Sequence, residues 1–253
     1  MLRDVTAVAT RLRWLLAGAL VLVAGLLLFV KPARGITLLA PSVAGFVQAA
    51  PDVWVERGAS ESTRDTVVRA VALGNGRVRE FYGAQAGRAV VLACTSVSCF
   101  RLHGGIGHGT TYFGNRVLLG PSALSVVKVT HELSHVELAA RVDALRVLLR
   151  VPQWFDEGLA VMISDDPAFD ERRWLSATVG GTSAPDLGRL ATLRAWLAVT
   201  RVDGQLSYGT ARHEVSRWYA RVGLGGLERL FVLLRKGSAF DAAYAATEGS
   251  PTR

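Results

Sequence analysis

The chain has 253 residues, half of them hydrophobic, and a net charge of +8. That is enough apolar sequence for one modest domain with a substantial core plus a separate anchor. The charge is mostly arginine, scattered from Arg3 to Arg253 with no block of like charges and no basic stripe interleaved with aromatics. The pattern argues against a nucleic-acid partner and for a solvated basic surface that can lie close to anionic lipid.

Residues 14–30 form an unbroken apolar run of 17 residues, flanked by Arg11 and Arg13 before and Lys31 and Arg34 after. At about 1.5 Å per residue such a run just spans a thin hydrocarbon core. No small-x-small cleavage site closes it, so an uncleaved signal anchor is expected rather than a removed signal peptide. The excess of Arg3, Arg11 and Arg13 over Lys31 and Arg34 predicts a cytoplasmic N-terminus and an extracytoplasmic domain on a single-pass anchor. Residues 36–50 are apolar but short and interrupted by Pro41. They are read as a linker, with an interfacial segment or the return limb of a hairpin as alternatives. The expected organisation is an anchor at 1–34, a linker at 35–51 and a folded domain at 52–253.

In chain order, residues 52–56 read as a short strand. Residues 60–82 read as an amphipathic helix that Gly74-Asn75-Gly76 breaks or bends. Residues 88–94 and 116–119 are β-rich runs expected to share one sheet. Cys94 and Cys99 are the only cysteines. They are close enough for a loop-closing disulfide in an oxidising compartment, the other reading being two small buried apolar residues. Between the strands, His103-Gly104-Gly105-Ile106-Gly107-His108-Gly109 lacks the order of a phosphate cradle and reads as a flexible hairpin or cleft rim. Its two histidines are only secondary metal-ligand candidates.

Residues 123–142 contain neither Gly nor Pro, and Leu124, Val127, Leu138 and Val142 recur at helical spacing. Within this helix stands His131-Glu132-Leu133-Ser134-His135. Two histidines four apart lie on one helical face and can share a metal ion, with Glu132 able to reach a water on that metal. A hydrolytic zinc site wants a third protein ligand and an open position. Glu157 supplies the third ligand within Pro152-Gln153-Trp154-Phe155-Asp156-Glu157-Gly158-Leu159-Ala160, where Pro152 opens a helix and Gly158 permits close packing. The apolar flanks predict that this carboxylate is buried, and a buried carboxylate needs a partner.

His131-Glu132-x-x-His135 followed by Trp154-Phe155-Asp156-Glu157-Gly158-Leu159-Ala160 resembles the gluzincin zinc metallopeptidases, nearest the aminopeptidase-N-related branch with its W-x-x-E-G-x-A motif. The resemblance covers about residues 85–250. It implies one Zn²⁺ held by His131, His135 and Glu157, Glu132 as general base, and a polypeptide substrate. The chain departs from the family in three ways. The stretch from His135 to Glu157 is longer, which a loop over 141–151 would absorb. No acid stands four after Glu157, where Val161 is found. No exopeptidase segment of the G-x-M-E-N type is visible, so aminopeptidase activity is not carried over, and the anchored catalytic domain is read as an endopeptidase acting on membrane-proximal or cell-envelope polypeptide. The resemblance also implies a tyrosine on a downstream helix, and Tyr208 matches it best. Its expected role is to support the oxyanion; His213 is the other donor nearby, and a tyrosine merely packing at the rim is the alternative.

After Pro167 the chain reads as mostly helical, over 189–199, 208–222, 227–236 and 239–246. The fold class expected is α+β: a small mixed sheet with the metal-binding helix, then a helical C-terminal lobe, behind an N-terminal transmembrane helix. The function expected is membrane-anchored, zinc-dependent peptide hydrolysis. The competing expectation is an inactive, membrane-tethered zinc-binding scaffold. The oligomeric state is not legible.

Overall fold

A computed structural model of the chain describes Thr37 and residues 40–248. The apolar run at 14–30, with the anchor and orientation expected of it, lies outside the described residues. Among the described residues, no helix is long and apolar enough to cross a membrane. The fold is α+β, as expected: a small mixed sheet followed by a predominantly helical C-terminal half.

Five strands make one sheet: β1 (Phe46–Ala50), β2 (Val53–Glu56), β3 (Val90–Ala93), β4 (Gly109–Tyr112) and β5 (Arg116–Leu119). Their spatial order is β1-β2-β3-β5-β4, with β2, β3 and β5 parallel and the two outer strands antiparallel to their neighbours. Alternation along the strands separates two cores. Val55, Val91, Ala93, Val117 and Leu119 enter the main core, whereas Phe46, Leu92 and Leu118 turn to the other face with Phe100 and the cysteines. β1 corrects the linker expected at 35–51. Buried Phe46 secures it, and its register with β2 runs from Phe46–Glu56 to Ala50–Val53 across a bulge.

Helix α1 (Glu61–Tyr82) links β2 to β3 as the crossover that parallel strands require. Ser60 caps its start by accepting from Thr63 N, and left-handed Gly83 ends it. The break expected at Gly74-Asn75-Gly76 does not occur. A Cβ at Gly74 would meet Leu133, Val129 and Thr130 at 3.1–3.3 Å, so the glycine lets α1 press on the metal-motif helix, and that packing overrides its poor helix propensity. The short α2 (Val97–Leu102) follows β3, and Cys94 and Cys99 join in a disulfide that ties it to the sheet.

The motif helix α3 (Val126–Val142) begins at Ser125, which accepts from Lys128 N. The loop expected over 141–151 is instead a second short helix, α4 (Ala144–Arg150), whose start is capped by the Asp143 carboxylate through Arg146 N. Next comes α5 (Gln153–Ser164), opened by Pro152. The C-terminal half then adds α6 (Glu171–Ala177), α7 (Leu193–Thr200), α8 (Thr210–Arg235) and α9 (Phe240–Glu248). The two helices expected at 208–222 and 227–236 merge across a kink at Gly223, whose φ of 63° only glycine adopts freely. A π-helical turn, Gln205–Gly209, leads into α8. Gly158 fixes how α5 meets α8: a Cβ there would stand 2.4 Å from the Ala211 carbonyl oxygen and 2.8 Å from Val215.

Candidate metal centre

Helix α3 places His131 and His135 one turn apart on the same face, their Nε2 atoms 3.3 Å from each other. Helix α5 brings Glu157 against them, with Oε2 3.2 Å from His131 Nε2 and 3.9 Å from His135 Nε2. These three potential ligand atoms lie within 4.8 Å of one another and are the one group among the described residues that could hold a metal ion. All three side chains are largely buried.

Each ligand is aimed by a neighbour. His135 Nδ1 donates to Asp156 Oδ1 at 2.6 Å, which turns Nε2 toward the cluster. Gln153, one turn before Glu157, donates from Nε2 to Glu157 Oε1 at 2.9 Å and turns the second oxygen inward. That Oε2 is buried, faces only the two imidazoles and makes no hydrogen bond of good geometry. Buried acceptors are rarely left so. A tetrahedral ion with bonds of about 2.05 Å sets its ligands roughly 3.3 Å apart, so the spacing and the unsatisfied oxygen both fit a bound metal.

The electrostatics agree. Burial opposes a charge on His135, yet the charge and hydrogen bond of Asp156, with smaller contributions from Glu157 and Glu132, push its pKa up to about 10 in the metal-free site. Burial likewise opposes charge on Glu157, but the facing imidazoles and the Gln153 amide hold its carboxyl below the usual carboxylate range. A cation at this point would replace the proton that His135 carries.

Glu132 is nearly buried between α3 and the edge strand β4. Thr111 Oγ1 donates to its Oε2 at 3.0 Å. A Cβ at Gly109 would fall 2.5 Å from its Oε1, so glycine is what leaves this carboxylate its space. Tyr208 lies on the π-helical turn, its ring 6.2 Å from that of His131. It is stacked on Phe169 and met edge-on by Trp196, each at 4.9 Å. The negative charge of Glu157, together with burial, pushes its hydroxyl pKa up, so the O–H keeps its proton to donate.

The other histidines do not join the cluster. His213 bonds Glu171 at 2.9 Å and stacks face to face on Trp174. His108 bonds Ser122, and His103 bonds Thr37 beside Phe46, on the sheet face away from α3. The structure thus gathers His131, Glu132, His135, Glu157 and Tyr208 into one locality, and adds Asp156, Gln153 and Thr111, which sequence reasoning misses. Asp156 escapes because the family pattern directs attention to an acid after Glu157 instead of directly before it. Comparison with protein-family models, with curated proteins and with solved structures gave no match to this chain.

Proposed function

We propose that the chain is a zinc-dependent peptidase, an endopeptidase by preference, of the gluzincin type. The observation that carries this reading is the buried, unsatisfied Glu157 Oε2 at the meeting point of two oriented imidazoles, with the Glu132 carboxylate alongside. His131, His135 and Glu157 would hold the ion. The donor set of two imidazoles and one carboxylate suits zinc and leaves a position open for chemistry, whereas closed structural sites fill it with a further Cys or His. When bound, zinc polarises a carbonyl and lowers the pKa of water toward about 7.

The chain's own residues supply the rest. Glu132, steadied by Thr111, takes the proton of the attacking water and returns it to the leaving amine. Tyr208, protonated and fixed between Phe169 and Trp196, donates to the oxygen that gains negative charge. Strand β4 pairs with β5 on one side and has no strand partner on the other among the described residues. An extended polypeptide added at that edge would run past Glu132, a mode of recognition that main-chain hydrogen bonds support. An edge of this kind favours peptide over a small amide.

The test is metal analysis of the purified chain and of His131→Ala, His135→Ala and Glu157→Ala. About one zinc per chain in the parent and a large loss in each variant are expected from a three-ligand site. Unchanged zinc in all three variants would sink the assignment.

A further inference from the structure

Helix α4 lies between the two metal-binding motifs and none of its seven residues is buried. Val147 packs against the core, while Leu145, Leu148 and Leu149 are 62%, 78% and 70% exposed. Positions 145, 148 and 149 share one helical face, so the three leucines form a single apolar surface. The turn between β4 and β5 abuts the same helix: a Cβ at Gly114 would contact Ala144 at 2.7 Å and Ala139 at 3.1 Å. Its neighbour Phe113 is 66% exposed.

Positive charge flanks this surface on the side that faces the end of α8. Arg146 and Arg150 donate to Leu234 O and Gly237 O, which brings the end of α8, with exposed Arg235 and Lys236, alongside α4. Arg235 in turn donates to Arg141 O. Of the nearby acids, Asp143 is occupied in capping α4 and Glu228 in pairing with Arg141. Apolar side chains projecting from a short helix and a turn, flanked by arginine and lysine that form no ion pair among the described residues, match the boundary between anionic headgroups and acyl chains. A second copy of the same face is a poor occupant, since self-pairing would oppose two basic rims, and a few side chains fall short of the roughly 800 Å² that each partner contributes to a stable dimer.

We propose that α4 and the Phe113 turn dock the domain on an anionic lipid surface. This contact is separate from the apolar run at 14–30 and does not depend on the peptidase reading. Under that reading it has a consequence for substrate: α3 ends at Asp143, where α4 begins, and His135 is roughly 10 Å of helix rise from that end, so the docking face and the site share one helix. Polypeptide close to the membrane is then the material within reach.

The experiment uses the full chain reconstituted in vesicles of phosphatidylcholine and phosphatidylglycerol in equal parts, with some acyl chains brominated. A polarity-sensitive fluorophore is attached at Leu148→Cys, at Phe113→Cys and, as a control, at Leu193→Cys, which is exposed on α7; the disulfide leaves no other free thiol among the described residues. The expected result is blue-shifted emission quenched by bromine at 148 and 113 but not at 193. Quenching should weaken in phosphatidylcholine alone and with Lys236→Glu. Quenching at 148 no greater than at 193 overturns the proposal, as does a label at 148 that is shielded without bromine quenching. The latter, with cross-linking between copies through the thiol of the Leu148→Cys variant, would identify a protein partner instead. None of these readouts requires hydrolysis of a peptide.

Discussion

Two helical glycines should respond to alanine with opposite signs. Gly76 lies in α1 and a Cβ there meets nothing within 4 Å, so Gly76→Ala removes only the entropic penalty of a mid-helix glycine and should stabilise the fold by about 0.5–1 kcal/mol. Gly158 has the same penalty, but its Cβ would stand 2.4 Å from the Ala211 carbonyl oxygen and 2.7 Å from its carbon. These are backbone atoms, which cannot swing aside. Relief requires α5 and α8 to part by roughly 1 Å, and overpacking of this kind costs about 1–3 kcal/mol, which cancels or exceeds the propensity gain. The displacement reaches the site directly, because Glu157 adjoins Gly158 and Tyr208 leads into α8. A misplacement of about 1 Å can cost on the order of 10²-fold in turnover. Urea denaturation of both variants followed by circular dichroism, with zinc affinity and turnover measured beside it, checks the reasoning. A Gly158→Ala protein stabilised as much as Gly76→Ala, with zinc affinity and turnover unchanged, would refute the close approach of these helices.

Metal-free protein should carry a proton on His135 at neutral pH, since Asp156 lifts its pKa to about 10 from an ordinary 6.5. The stabilisation from this pair is therefore full below about pH 6.5 and is lost as pH rises through about 10, which denaturation of chelator-treated protein across that range will register. Zinc uptake should release about one proton near pH 7, seen by calorimetry in buffers of different ionisation enthalpy, and affinity should rise with pH. Tyr208→Phe should keep zinc and lower turnover; unchanged turnover would make this tyrosine a packing residue only. Replacing both Cys94 and Cys99 by Ser reopens a short loop and should cost about 2 kcal/mol in denaturation, leaving zinc stoichiometry intact.

The metal cluster is the most legible part of the chain, because helical periodicity alone sets His131 and His135 on one face and apolar flanks bury Glu157. The strands at 53–56, 90–93 and 116–119 are legible for a similar reason, their β-rich residues being the ones that pack on the sheet. What escapes is decided by packing between distant segments. Gly74 and Gly76 read as a break because the facing Leu133 is invisible from α1 alone. Phe46–Ala50 reads as linker because its identity as a strand depends on pairing with β2. The 141–151 stretch reads as a loop although Asp143 caps a helix there, since its leucines face outward and offer no buried stripe to read. Asp156 is one residue from Glu157, about 100° around the helix, so one carboxylate faces the cluster while its neighbour reaches His135 from behind.

The central claim is that Glu132 moves a proton without holding the metal. Glu132→Gln nearly preserves volume and can still accept from Thr111, so it isolates that function. The decisive measurement is zinc content and cleavage of an unstructured protein substrate, such as casein, on the same preparations of parent and variant. The account predicts equal zinc and a rate lower by roughly 10²-fold or more in the variant, the usual scale of general acid–base catalysis. Equal zinc with an undiminished rate would contradict it.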